Sequence, residues 1–215
     1  MGDLSMPAMP KGTVIFAHGS GSSRFSVRNR YVAGELEPQF ATLLLDLLTP
    51  EEDQTDLRTR EFRFDIHLLA QRLEHATRWI ARELADLPVG YFGASTGAAA
   101  ALVAAAALGP TIQAIVSRGG RPDLAGAALP MVKAPTLLVV GGNDTPIIPL
   151  SQKALDEMTT TKELVIVPTA THLFEEPGAL EQVASLARGW FERYLGNEGT
   201  KPAMGEEQTK KARVT

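Results

Sequence analysis

A single α/β domain built on a doubly wound, mostly parallel sheet is the fold that this 215-residue sequence predicts. Three observations carry that expectation. Six short runs are apolar almost throughout, at 13–17, 41–45, 89–92, 112–117, 136–140 and 164–167. None alternates polar with apolar, as a sheet with one wet face would, so each reads as a strand covered on both sides. Helical periodicity fills the stretches between them, and the length suits one domain of this kind.

Taken in order, residues 1–11 read as an N-terminal extension and 12–195 as the domain. The first strand, 13–17, runs into His18-Gly19-Ser20-Gly21-Ser22-Ser23. Residues 24–37 read as a helix leading to the strand 41–45. Asp65 is placed to cap a helix reaching about residue 85, because Ile66, Leu69, Leu73, Ala76, Ile80 and Leu84 recur at helical spacing. The strand 89–92 then enters an alanine-rich helix, 95–108, stopped by Gly109-Pro110. Strands 112–117 and 136–140 follow, then a short helix at 151–158 and the last strand, 164–167. Leu180, Val183, Ala187, Trp190 and Tyr194 mark a final helix over 177–195. Right-handed crossovers put helices on both faces of a six-stranded sheet. Residues 196–215 lose the periodicity and read as a flexible tail.

Composition narrows the function. Hydrophobic residues make up 44% and net charge is −4, with no basic stripe for nucleic acid and no polybasic run for a membrane surface. The chain has no cysteine, which removes disulfides, thiolate metal sites and cysteine nucleophiles. The first ten residues lack the basic and apolar regions of a signal peptide, so a cytoplasmic location is expected. Neither a metal nor an organic cofactor is called for, and a monomer and a homodimer are both open.

Gly93-Ala94-Ser95-Thr96-Gly97 matches G-x-S-x-G, and its setting between strand and helix gives the short match its weight. The turn is so sharp that side chains at 93 and 97 would strike backbone. A serine hydroxyl needs a base. Of the four histidines, His67 and His75 fall on a helix and His18 closes the first strand. His172 follows the last strand, at the carboxyl edge that presents Ser95. Asp144 follows strand 136–140 on that edge and is the candidate carboxylate, with Asp123 as competitor. Candidate oxyanion donors are the amides of Thr96, at a helix N-terminus, and Ser20. The glycine-rich loop at 19–23 lacks the Lys and Ser/Thr of a phosphate-binding P-loop. Ser95, Asp144, His172 is also the chain order of one of the known Ser-His-Asp folds.

With these motifs the chain resembles a dienelactone-hydrolase-like member of the α/β-hydrolase superfamily, over about 12–195. Such domains occur alone and joined to phosphoribosyltransferase-like domains, and no second domain of that kind is read here. Two departures stand out. The dienelactone hydrolases proper use a cysteine nucleophile, which puts dienelactone itself in doubt as the substrate. Little room precedes residue 13 for the family's antiparallel N-terminal strands. No cap domain is expected either, because only 118–134 separates the strands before Asp144.

The expected activity is hydrolysis of a small carboxylic ester, thioester or lactone through an acyl-enzyme. Acyl transfer to another acceptor and non-catalytic binding on the same fold are the alternatives. Arg118 and Arg121 follow one strand, and Arg24 follows the oxyanion loop, all on the edge that carries Ser95. Arg118 and Arg24 are therefore candidate contacts for an anionic group on the substrate. The alternative is that Arg118 or Arg121 pairs with Asp123 and braces the loop.

Overall fold

A computed structural model describes residues 1–196. The expected tail therefore lies, from 197 on, outside the described residues. The strands are β1 (Gly2–Ser5), β2 (Thr13–Ala17), β3 (Ala41–Leu45), β4 (Val89–Ala94), β5 (Ile112–Arg118), β6 (Thr136–Gly141) and β7 (Lys162–Val167). The helices are α1 (Val27–Leu36), α2 (Pro50–Thr59), α3 (Ile66–Glu83), α4 (Thr96–Leu108), α5 (Ile147–Glu157) and α6 (Ala179–Leu195). Strand order is β1-β3-β2-β4-β5-β6-β7, and every neighbouring pair from β3 to β7 is parallel.

All six expected strands are present, with a seventh that was not expected. β1 pairs antiparallel with β3, Gly2 opposite Leu45 and Ser5 opposite Thr42. It lies inside the expected N-terminal extension and corrects the six-stranded count. Its four residues, Gly2, Asp3, Leu4 and Ser5, form no apolar run, and Gly and Asp are poor strand formers. The ladder holds it, together with ion pairs from Asp3 to Arg24 and Arg30.

Helix α2 was also unread. Its ten residues bury only Asp56, so no apolar stripe announces it. A reciprocal capping box between Thr49 and Glu52, with Pro50 in the first turn, forms it instead. Glu51, Glu52 and Asp53 face the positive end of its dipole. Asp65 caps α3 as expected, accepting from Leu68 N at 3.0 Å.

Two cores flank the sheet. On one face Leu69, Leu73 and Ile80 of α3 meet Ala101, Leu102 and Ala105 of α4 over Ile15, Tyr91 and Ile115. On the other, Val32 and Leu36 of α1 meet Val183, Trp190 and Phe191 of α6 over Phe16, Phe92 and Val139. Helix α4 is buried along nearly its whole length, and its alanines let it lie close to the strands. Between β5 and β6, Pro122–Met131 forms short 3-10 turns broken at Gly126, so no cap covers the carboxyl edge there.

Candidate active site

Ser95 stands at the end of β4 with φ 51° and ψ −121°, a left-handed conformation that costs a non-glycine residue about 1–3 kcal/mol. The surroundings impose it. A Cβ on Gly93 would come within 2.4 Å of Ala98 Cα, and one on Gly97 within 2.3 Å of Ala17 O. Only glycine lets β4 turn this sharply into α4 while β2 passes beneath. Two hydrogen bonds pin the turn to the end of β5 and the loop after it. Ser95 N–H donates to Arg118 O at 3.3 Å, and Arg121 N–H donates to Ser95 O at 3.0 Å.

His172 and Asp144 come together from the loops after β7 and β6. His172 Nδ1 lies 2.7 Å from Asp144 Oδ2, and Asp144 is buried. The aspartate only accepts, so Nδ1 carries the proton and Nε2 is left as a base. Backbone bonds stitch the two loops together. Asn143 N–H donates to Ala170 O at 2.9 Å, and Asn143 Nδ2 to Thr169 O at 2.8 Å. A Cβ on Gly141 would meet Ala170 O at 2.3 Å, so glycine is what lets the histidine loop settle against the end of β6. Asp123, the competing carboxylate, is held by both Arg121 Nε and Nη2, at 2.9 and 2.8 Å.

The loop after β2 rests on the serine. A Cβ on Gly19 would stand 2.9 Å from Ser95 Cβ. Ser20 lines the same pocket as Ser95, and Thr96 begins α4, where the helix leaves its first amides free. The loop is anchored by buried His18. Leu47 N–H donates to His18 Nε2 at 3.1 Å, which makes Nδ1 the protonated nitrogen, 2.9 Å from Gly19 O. Burial lowers the His18 pKa below its ordinary 6.5, against the opposing pull of the Gly19 carbonyl, Asp46 and Asp53.

That shift has a sign. Below pH 6.5 the unfolded chain takes up a proton that folded His18 resists, so stability is full above 6.5 and falls as pH drops from there. One proton contributes a slope of at most about 1.4 kcal/mol per pH unit. Denaturant unfolding at pH 7.5 and 5.5 should show this loss, and His18→Gln should show a smaller one. An equal loss in both proteins would remove His18 as the cause.

A pocket of about 240 Å³ opens on Ser95 and His172, with Ser20, Ser22, Arg28 and Arg118 in its wall. A larger cavity, about 460 Å³, lies elsewhere beneath β1, lined by Leu43, Leu45, Arg72 and Trp79, and Ser95 is not part of it. Of the arginines singled out in the sequence, Arg118 lines the Ser95 pocket. Arg24 does not: its backbone N–H and its guanidinium both bind Asp46, and Nε reaches Asp3 at 3.3 Å. Those carboxylates draw it toward the end of β3, which corrects its placement beside the serine. Arg28 takes that place and was missed. Its signal was weak but present, since Ser26 caps α1 and Arg28 falls in the first turn.

Among the described residues no group of His, Asp and Glu could hold a metal ion, and no helix is long and apolar enough to cross a membrane. No family model matches the chain. The crystal structure of a dienelactone hydrolase from Anabaena variabilis ATCC 29413 superposes with a TM-score of 0.88 and 61% identity, over 90% of this chain and 91% of that one. Est1E from Butyrivibrio proteoclasticus superposes with a TM-score of 0.73 over 89% of this chain and 93% of its own, at 16% identity, a likeness of fold. Two curated proteins from strains of Mycobacterium tuberculosis, provisionally named phosphoribosyl transferases, are 58% identical over 201 residues. The match covers 92% of this chain, which spans 44% of their length.

Proposed function

The chain belongs to the dienelactone-hydrolase-like α/β-hydrolases, and we propose that it cleaves a small carboxylic ester, thioester or lactone through an acyl-enzyme formed on Ser95. One observation carries the reading: a strained serine shares a pocket with a histidine whose far nitrogen is held by a buried aspartate. In this reading Ser95 Oγ gives its proton to His172 Nε2 and attacks the carbonyl carbon. Asp144 keeps the imidazole in the reactive tautomer and offsets the charge it gains. The amides of Thr96 and Ser20 take the oxyanion of the tetrahedral intermediate. His172 then protonates the leaving group, and a water activated by the same nitrogen releases the acid.

Phosphoribosyl transfer is the competing reading, taken from the name of relatives more than twice as long. A displacement at a sugar carbon has no use for a nucleophilic serine with an aspartate-held base, so acyl chemistry fits this geometry better. A fluorophosphonate probe tests it. Folded protein should be labelled at Ser95, and His172→Ala should slow labelling at least a hundredfold. Absence of label from folded protein, or label on another residue, overturns the proposal.

A further inference from the structure

Arg118 is an unusual residue to bury. It is 6% exposed, and its Nε is enclosed with no hydrogen-bond partner. Among the described residues its guanidinium meets no carboxylate; the contact it has is with the Phe174 ring, 5.9 Å from the centroid. Burial, and then the charge of Arg28, lower its pKa to about 10, so it remains a cation near neutral pH. A buried charge without a partner is costly unless something the protein binds supplies the partner. Of the two pairings open for this loop, Arg118 or Arg121 with Asp123, it is Arg121 that binds Asp123.

Arg28 approaches from α1. Its Nη1 binds Glu175 at 3.1 Å, a largely exposed carboxylate, while its Nε is also enclosed and unpartnered. Both arginines line the 240 Å³ pocket, together with Ser20, Ser22 and Ser26. Ser95 and His172 line it too, so a group held there belongs to the molecule under attack.

We propose that Arg118 and Arg28 form an oxyanion subsite that selects esters bearing a phosphate monoester group. With both Nε atoms enclosed, the Nη groups are what each guanidinium can present to a bound anion. Arg28 Nη1 is engaged by Glu175, and the Nη groups that the two arginines have left suit the three terminal oxygens of a phosphate better than the two of a carboxylate. Two cations, of which only Arg28 has a carboxylate, also favour a dianion over a monoanion. Serine hydroxyls complete the donor set, and the pocket volume limits the substrate to a short acyl or alcohol part. The subsite gives a substrate class to the hydrolase reading above and rests on it.

Inorganic phosphate is the probe. Its binding is measured by calorimetry on the wild type and on Ser95→Ala, at constant ionic strength, with acetate as the carboxylate arm. Phosphate should bind both proteins and inhibit wild-type turnover of a neutral aryl ester competitively. Acetate should bind at least tenfold more weakly. Arg118→Gln should raise the phosphate Kd at least tenfold. Arg28→Gln should raise it at least threefold, and it keeps the test open if the buried Arg118 variant does not fold. Absent phosphate binding, a Kd unmoved by Arg28→Gln, or acetate binding as tightly as phosphate, overturns the subsite. Phosphate binding to Ser95→Ala does not depend on turnover. Binding without any wild-type ester cleavage would therefore sink the hydrolase reading alone, and cleavage without binding would sink the subsite alone.

Discussion

Ser95→Ala should lower kcat for a small aryl ester by about 10⁴-fold or more, with the fold intact by circular dichroism. The side chain is half-buried at a turn whose shape is set by Gly93 and Gly97, so losing Oγ removes the nucleophile and leaves the backbone as it was. His172→Ala should cost a similar factor, because without the base the hydroxyl keeps its proton near neutral pH. The double variant should be scarcely worse than either single one, since residues acting in one step lose their effect together. Asp144→Asn should cost less than the loss of His172, through a wrong tautomer rather than a missing base. The measurement is kcat and KM for each variant on one neutral ester. A Ser95→Ala protein that retains a tenth of wild-type turnover would end the mechanism, and full additivity in the double variant would separate the two residues.

Gly97→Ala should produce a large loss of stability. The new Cβ would sit 2.3 Å from Ala17 O and 2.4 Å from His18 O, both backbone atoms at the end of a central strand. Neither can swing aside as a flexible side chain would, so β2 and the oxyanion loop must shift together. Overpacking of this kind costs about 3 kcal/mol or more, a large share of a domain's stability. Gly34→Ala is the control. It sits exposed in α1 with nothing within 4 Å of the added carbon, and should gain up to about 1 kcal/mol from better helix propensity. Chemical denaturation of the three proteins decides the point. A Gly97→Ala midpoint equal to that of the wild type would mean the elbow is looser than its geometry implies.

Some of this site is readable without coordinates. The strands of the parallel sheet are near-continuous apolar runs, and the residues just past their carboxyl ends are easily identified. Ser95, Asp144 and His172 were singled out as candidates in that way, as was the glycine pair around the serine. Other parts were hidden, each for a local reason. β1 lacks an apolar run and depends on β3 for its ladder. α2 has no buried stripe, although Thr49, Pro50 and Glu52 spell its start. The final helix begins at Ala179 rather than at 177 because Gly178, at φ 81°, serves as its cap.

What the sequence determined by itself is whatever a short window of residues enforces. Apolar runs too long to stay wet make strands, and two glycines around a serine make a turn that no larger residue tolerates. The arginines mark the boundary of that reasoning. Arg24 and Arg118 were read onto the sheet edge that carries Ser95, and Arg28 was not. Which of them faces the pocket was decided by contacts distant in sequence. Asp46 at the end of β3 takes Arg24, Asp123 takes Arg121, and Ser26 starts α1 at a residue that sends Arg28 toward Arg118. A charge goes to the partner that the folded chain brings within reach. For Arg118, ninety residues from Arg28, only the tertiary fold, with Phe174 of the histidine loop against it, left it buried and, among the described residues, without a carboxylate.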